Sequence, residues 1–141
     1  MPNGERVFVA LGSNVGAREA HLAHARARLA ALPETTLLAV SAIEETVPIG
    51  PPQDPYLNQM ALLETRLSPG ELLARLHDIE GERGRVRSVR WGPRTLDLDI
   101  VRFGERLVHE PQLEIPHPEL ARREFWRREI DQIERRAASH A

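Results

Sequence analysis

Residues 91–103, WGPRTLDLDIVRF, alternate as a strand does, and two of the alternating positions, Asp97 and Asp99, are carboxylates. An extended chain turns successive side chains to opposite faces, so Asp97, Asp99 and Val101 point one way and Leu96, Leu98 and Ile100 the other. One face belongs to a core. Carboxylates spaced about 6–7 Å apart along a strand raise one another's proton affinity unless a cation lies between them. Oxygen-only ligands suit a hard ion such as Mg²⁺. An edge strand whose aspartates are merely solvated satisfies the same pattern.

This strand closes a regular order of elements. Before it, residues 68–84, SPGELLARLHDIEGERG, predict a helix with Ser68 as N-cap, Pro69 in the first turn and Glu71 completing a capping box. Leu72, Leu73, Leu76 and Ile79 form its apolar stripe, which sets His77 and Glu80 on a neighbouring face. Strands are predicted over 6–11, 36–46 and 56–67. The first ends in GSNVG, where Gly12 and Gly16 are expected to permit a turn. A helix over 17–32 follows, with Ala20, Leu22, Ala23, Ala27, Leu29 and Ala30 as its stripe and Pro33 as its stop. Residues 47–58 carry Pro48, Pro51, Pro52 and Pro55 and predict a stiff loop. After the aspartates come a short hairpin through residues 104–107 and a polar C-terminal helix. The order β-α-β-β-α-β predicts an α+β fold, a ferredoxin-like sandwich with an antiparallel-dominated sheet and an added C-terminal helix. With no repeat or linker, residues 1–141 are expected to form one domain.

Composition narrows the function classes. The chain is 41% apolar and 28% charged, the balance of an ordinary globular protein, and no apolar run approaches a membrane span. Cysteine is absent, which removes thiolate metal sites and disulfides. With no leader evident, a cytoplasmic protein is expected. A net charge of −2 and 4% aromatic content disfavour nucleic acid as a partner. All 19 residues of the Lys+Arg total are Arg, so any basic side chain on a phosphate is a guanidinium fork. Arg83, Arg85, Arg87, Arg90 and Arg94 crowd the turn before the aspartate strand. Such a cluster beside a carboxylate pair suits a polyphosphate, although no Walker-type glycine loop is present.

Five separated stretches, ALGSNVG (10–16), ETVPIGPPQDPYLN (45–58), IEGERGRVR (79–87), RWGPRTLDLDI (90–100) and IPHPEL (115–120), together resemble the 6-hydroxymethyl-7,8-dihydropterin pyrophosphokinase family. The resemblance implies transfer of pyrophosphate from ATP to the pterin hydroxymethyl group, with AMP leaving. It implies that Asp97 and Asp99 hold two Mg²⁺ ions, that Arg85 and Arg94 contact the phosphates, and that these four residues form the catalytic set. Arg87 and Trp91 would lie in a loop closing over the substrates, and His77, Glu80, His117 and Arg123 would border the nucleotide. Tyr56 and Phe125 would sandwich the pterin, Asn58 would bind its amide-like edge, and Thr46, Val47, Ile49 and Trp91 would complete its pocket. Implied partners are the two small-molecule substrates, with no nucleic acid or membrane, and the protein is expected to be a monomer or dimer.

Three features depart from the family's pattern. Only Ser88 and Val89 separate GRVR from RW, a short form of the loop. Gln112 and Glu114 stand where basic or hydroxyl residues often touch the nucleotide. After Phe125 an apolar continuation is replaced by a divergent helical tail, 126–141, in which Trp126, Ile130 and Ile133 recur at helical spacing. That tail is expected to cap the domain or to pair with another subunit. The alternative to catalysis is a relative that only binds a nucleotide or a partner.

Overall fold

A computed structural model describes residues 4–47, 52–84 and 95–139. The elements run β1 (Glu5–Ser13), α1 (Arg18–Ala30), β2 (Thr35–Val40), β3 (Glu44–Thr46), β4 (Tyr56–Thr65), α2 (Pro69–Glu82), β5 (Asp97–Phe103), β6 (Val108–Glu110), β7 (Leu113–Ile115) and α3 (Glu124–Ser139). The main sheet has the order β2-β4-β1-β5, with β3 also on β4, and every pairing is antiparallel. Counting β2 and β3 as one strand, this is the ferredoxin-like order.

The sheet has two covered faces, and the alternation within each strand explains why. Val7, Val9 and Leu11 of β1 and Leu98 and Ile100 of β5 turn toward one core, where α1 lays down Leu22, Ala25 and Leu29 and α2 lays down Leu72, Leu76 and Ile79. The α1 stripe is narrower than the sequence suggested. Ala20, Ala23, Ala27 and Ala30 are exposed, and Ala25 is the alanine that packs. On the opposite face Phe8, Ala10, Met60, Leu62 and Val101 meet Trp126, Ile130 and Ile133 of α3. The divergent tail therefore caps this chain's own sheet. Each of its fully buried large side chains contributes roughly 1.5–3 kcal/mol.

The capping box at α2 forms as expected: Ser68 Oγ accepts from the Glu71 N–H at 3.1 Å, and the Glu71 carboxylate accepts from the Ser68 N–H at 2.8 Å. Three expectations change. The strand read over 36–46 breaks at Ser41–Ile43, because Ser41 Oγ accepts the Met60 N–H at 2.8 Å and takes the place of a ladder bond. The turn through residues 104–107 leads into β6, which pairs with β7 and not with β5. Gly12 is a strand residue; the glycines with positive φ among the described residues are Gly16, Gly84 and Gly104.

Pairing of β1 with β5 slips by one residue, since Val9 faces Ile100 while Phe8 faces Arg102. The extra residue, Val101, makes a β-bulge. It lets Leu98 and Ile100 share one face and still returns Phe103 to the same core.

Candidate active site

Asp97 and Asp99 leave β5 on the α3 side of the sheet, both half-buried. Register carries that face across the neighbouring strands: Asp97 pairs with Gly12, Gly12 with Asn58, and Asn58 with Glu44. One step along, Asp99 pairs with Ala10 and Ala10 with Met60. At Gly12 the central strand thus presents no side chain between Asp97 and Asn58, and at Ala10 only a methyl group between Asp99 and Met60. A methyl group added at Gly12 would come to 3.4 Å from Tyr56 Cδ1 and 3.6 Å from Asn58 Oδ1, so Gly12 floors a trough with Asp97 on one wall and Tyr56 and Asn58 on the other.

The Asn58 amide is oriented, its Nδ2 donating to Thr46 Oγ1 in a short hydrogen bond. Its Oδ1 then remains directed toward the trough. Val47, next to Thr46, is 88% exposed. The proline segment leading to Tyr56 is fastened from outside it: Asn14 Nδ2 donates to Gln53 Oε1 at 2.6 Å and to the Asp54 carbonyl at 3.0 Å, and Arg18 donates to the Pro55 carbonyl at 2.9 Å. Phe125 begins the buried side of α3, with its ring centroid 6.3 Å from that of Trp126. It packs on the same side of the sheet as Tyr56 and Asn58.

The bulge also places a histidine. The His117 N–H donates to the Val101 carbonyl at 2.9 Å, which sets the imidazole beside β5 with Nε2 3.7 Å from Asp99 Oδ1. His117 Nδ1 accepts the Glu119 N–H at 3.0 Å, so in the neutral ring the proton resides on Nε2, facing the carboxylate. Trp126 meets His117 edge-on at 4.9 Å, and the Arg123 guanidinium lies 4.6 Å from the Trp126 ring centroid.

A cavity of about 290 Å³ opens at the outer edge of β5, between α2 and the β6–β7 hairpin. His77, Asp99 and His117, three residues singled out from the sequence, line it together, with Leu73 as an apolar wall and Gln112 and Glu114 from the hairpin. Glu80 lies elsewhere. It is 2% exposed, and its Oε2 accepts the Leu98 N–H at 2.8 Å, tying α2 to the aspartate strand. Arg85, Arg87, Arg94, Trp91 and Ile49 lie outside the described residues. Arg83, which opens the arginine cluster, donates from Nε to His21 Nδ1 at 2.9 Å; burial, and then that guanidinium, lower the proton affinity of His21.

Sequence reasoning missed two residues here. Gly12 reads from the sequence as a turn residue, and its use as the floor of a trough depends on pairing with strands about 45 and 85 residues away, which no local pattern reveals. Glu129 lies on the buried side of α3 among Trp126, Ile130 and Ile133. Burial first, and Glu44 second, push its carboxyl up to about 9. A glutamate inside an apolar stripe was the available signal.

The donor set fits a hard divalent cation. Asp97 and Asp99 supply oxygens on one face, above a floor made by Gly12 and Ala10. No group of three His, Cys, Asp or Glu residues forms a metal cage among the described residues. Mg²⁺ is ordinarily held in this way, by one or two carboxylates completed by substrate phosphates and water.

Comparison with known proteins finds relatives across most of the chain. The family model for 7,8-dihydro-6-hydroxymethylpterin-pyrophosphokinase matches residues 8–135. A 2-amino-4-hydroxy-6-hydroxymethyldihydropteridine pyrophosphokinase of Pseudomonas aeruginosa is 48% identical over 122 residues, covering 86% of this chain and 75% of the relative. Enzymes of the same name from Bacillus subtilis and Haemophilus influenzae are 45% and 43% identical, each over 84% of this chain and over 71% and 74% of their own lengths.

Proposed function

The chain belongs to the 7,8-dihydro-6-hydroxymethylpterin-pyrophosphokinase family, and from that premise we infer that it transfers pyrophosphate from ATP to the hydroxymethyl group of 6-hydroxymethyl-7,8-dihydropterin, producing the pterin diphosphate and AMP for folate synthesis. The observation that carries the reading is the row Asp97–Gly12–Asn58, which sets a carboxylate strand and an amide-bearing strand on opposite walls of one trough. The cavity joining His77, Asp99 and His117 at its edge supports a nucleotide there.

Tyr56 and Phe125 hold the flat heterocycle, and the oriented Asn58 amide offers Oδ1 and its remaining N–H to the pyrimidinone edge. His117 presents Nε2–H toward phosphate oxygens held near Asp99. Two Mg²⁺ ions held by Asp97 and Asp99 would neutralise charge on the triphosphate. Arg85 and Arg94 would add bidentate contacts to the group in transfer. The chain's task is alignment of the hydroxymethyl oxygen on the β-phosphorus, with electrostatic support for the departing AMP and no covalent protein intermediate. We further read the protein as a single cytoplasmic domain; no described helix is long and apolar enough to cross a membrane.

³¹P NMR of the protein with MgATP tests the assignment. Pterin-dependent AMP and a pterin diphosphate are expected. ADP and inorganic phosphate would assign a different phosphoryl transfer, and binding of both substrates without turnover would favour a non-catalytic relative.

A further inference from the structure

The pterin wall of the trough rests on a joint between β3 and α3 that contains two carboxyl groups. Glu44 of β3 is in register with Asn58, so both side chains leave the sheet on the α3 side. Arg128 Nη2 donates to Glu44 Oε1 at 2.6 Å. The next residue, Glu129, turns inward and is 3% exposed, with neither oxygen hydrogen-bonded in good geometry. It follows Phe125 by four residues, one helical turn along the same face. An ionised carboxylate in that position would be desolvated beside another carboxylate, with Arg128, among the described residues, as the cation near both. The neutral acid has an O–H to donate, and Glu44 is the carboxylate coupled to it.

We propose that Glu129 is a positioning residue for the pterin: buried beside the Arg128–Glu44 pair, it completes the β3–α3 joint that holds Phe125 over the ring while Thr46 and Asn58 hold its edge. The proposal rests on the assigned reaction for its ligand, although the joint itself does not. The surroundings leave Glu129 little alternative. β4 turns Asn58, Met60 and Leu62 to this face, with the Tyr56 phenol beyond them; β1 turns Phe8 and Ala10, and β5 turns Val101. On α3, Glu124 adds negative charge near Arg128. Farther along, Gln132 Oε1 accepts the Ala42 N–H at 2.7 Å and Arg136 donates to the Val40 carbonyl at 2.9 Å, so the rest of α3 is fastened to the β2–β3 edge independently of pH. Ionising Glu129 therefore loosens the end of the helix that carries Phe125.

Steady-state AMP formation from pH 7 to 10, with pterin and MgATP varied separately, tests this in wild type, Glu129→Gln and Glu44→Gln. Hydrogen exchange of the peptide covering α3 is followed in parallel. In wild type the pterin KM is expected to rise about tenfold per pH unit beyond the ionisation of Glu129, while the MgATP KM stays flat. Glu129→Gln should match wild type near neutrality and lack that rise. Any alkaline rise that remains in Glu129→Gln belongs to the pterin or to Tyr56. Glu44→Gln removes the repelling charge and frees Arg128, so the rise should move to lower pH. From pH 7 to pH 9 exchange of α3 in wild type should accelerate relative to that of Glu129→Gln by up to about tenfold per pH unit and hold that excess at pH 10. An identical rise in wild type and Glu129→Gln, or a matching change in the MgATP KM, overturns the proposal. Should no variant form AMP, the reaction assignment fails; the joint is then decided by exchange alone, and equal exchange at pH 10 overturns it.

Discussion

His117 Nε2 stands 3.7 Å from Asp99 Oδ1, and the backbone of the bulged residue Val101 holds it there. Because Nδ1 is occupied by the Glu119 N–H, the imidazole meets the site as a donor. His117→Ala should raise the MgATP KM about tenfold, the loss of one charge-assisted contact, and leave the pterin KM within twofold. Separate titration of the two substrates checks the split.

Asp97→Ala and Asp99→Ala should each lower kcat by about 10²- to 10³-fold, the usual effect of removing one electrostatic element of a phosphoryl-transfer site. Thermal melts beside rate measurements distinguish this from simple misfolding.

Gly12→Val fills the floor of the trough. At the Cβ position the nearest atoms stand at ordinary contact distance, so the strand tolerates the change. The two branches beyond occupy the space between Asp97 and Asn58. The pterin KM is expected to rise about 10- to 100-fold with far-UV circular dichroism unchanged.

Glu80→Ala strips the acceptor from the Leu98 N–H at the heart of the α2–β5 contact. The cost is about 1–3 kcal/mol, because a buried donor is left without a partner. Glu80→Gln keeps an acceptor oxygen and should lose less. Urea denaturation of the two variants gives the comparison.

Stability should respond to pH in opposite senses at two glutamates. Hydrogen bonding from Arg106 lowers the proton affinity of Glu5, so what that pair contributes is present above the unfolded value of 4.5 and lost as the medium is acidified below it. Glu129, raised to about 9, binds a proton in the native state that the unfolded chain has released. Its contribution is complete below 4.5 and declines as pH rises toward 9, by up to about 1.4 kcal/mol per unit. Relative to wild type, Glu129→Gln should gain Tm from pH 5 to pH 9, and a flat difference would contradict the assignment.

What sequence made legible followed from short-range rules. The capping box at Ser68–Glu71, the apolar stripe of α2 and the alternation around Asp97 each depend on neighbours within a turn or two, and together they supplied the order of elements. The rest depends on partners far along the chain. Ser41 interrupts a strand only because Met60 lies opposite it. Gly12 becomes a floor only between two strands whose register no local pattern encodes. Trp126, Ile130 and Ile133 revealed an apolar helix face, yet which sheet face it covers is decided by Phe8, Met60 and Val101.

The extra residue at Val101 puts the two halves of β5 out of phase. Up to Ile100 the even-numbered side chains face α1 and α2; past the bulge Phe103 takes over that duty. Losing one residue between Asp99 and the end of the strand would disturb packing at one corner, whereas losing one before Asp97 would trade both carboxylates for leucines. The bulge thus works as a slip joint: strain or substitution around Phe103 is absorbed there, and the spacing of Asp97 and Asp99 is insulated from the core that supports them.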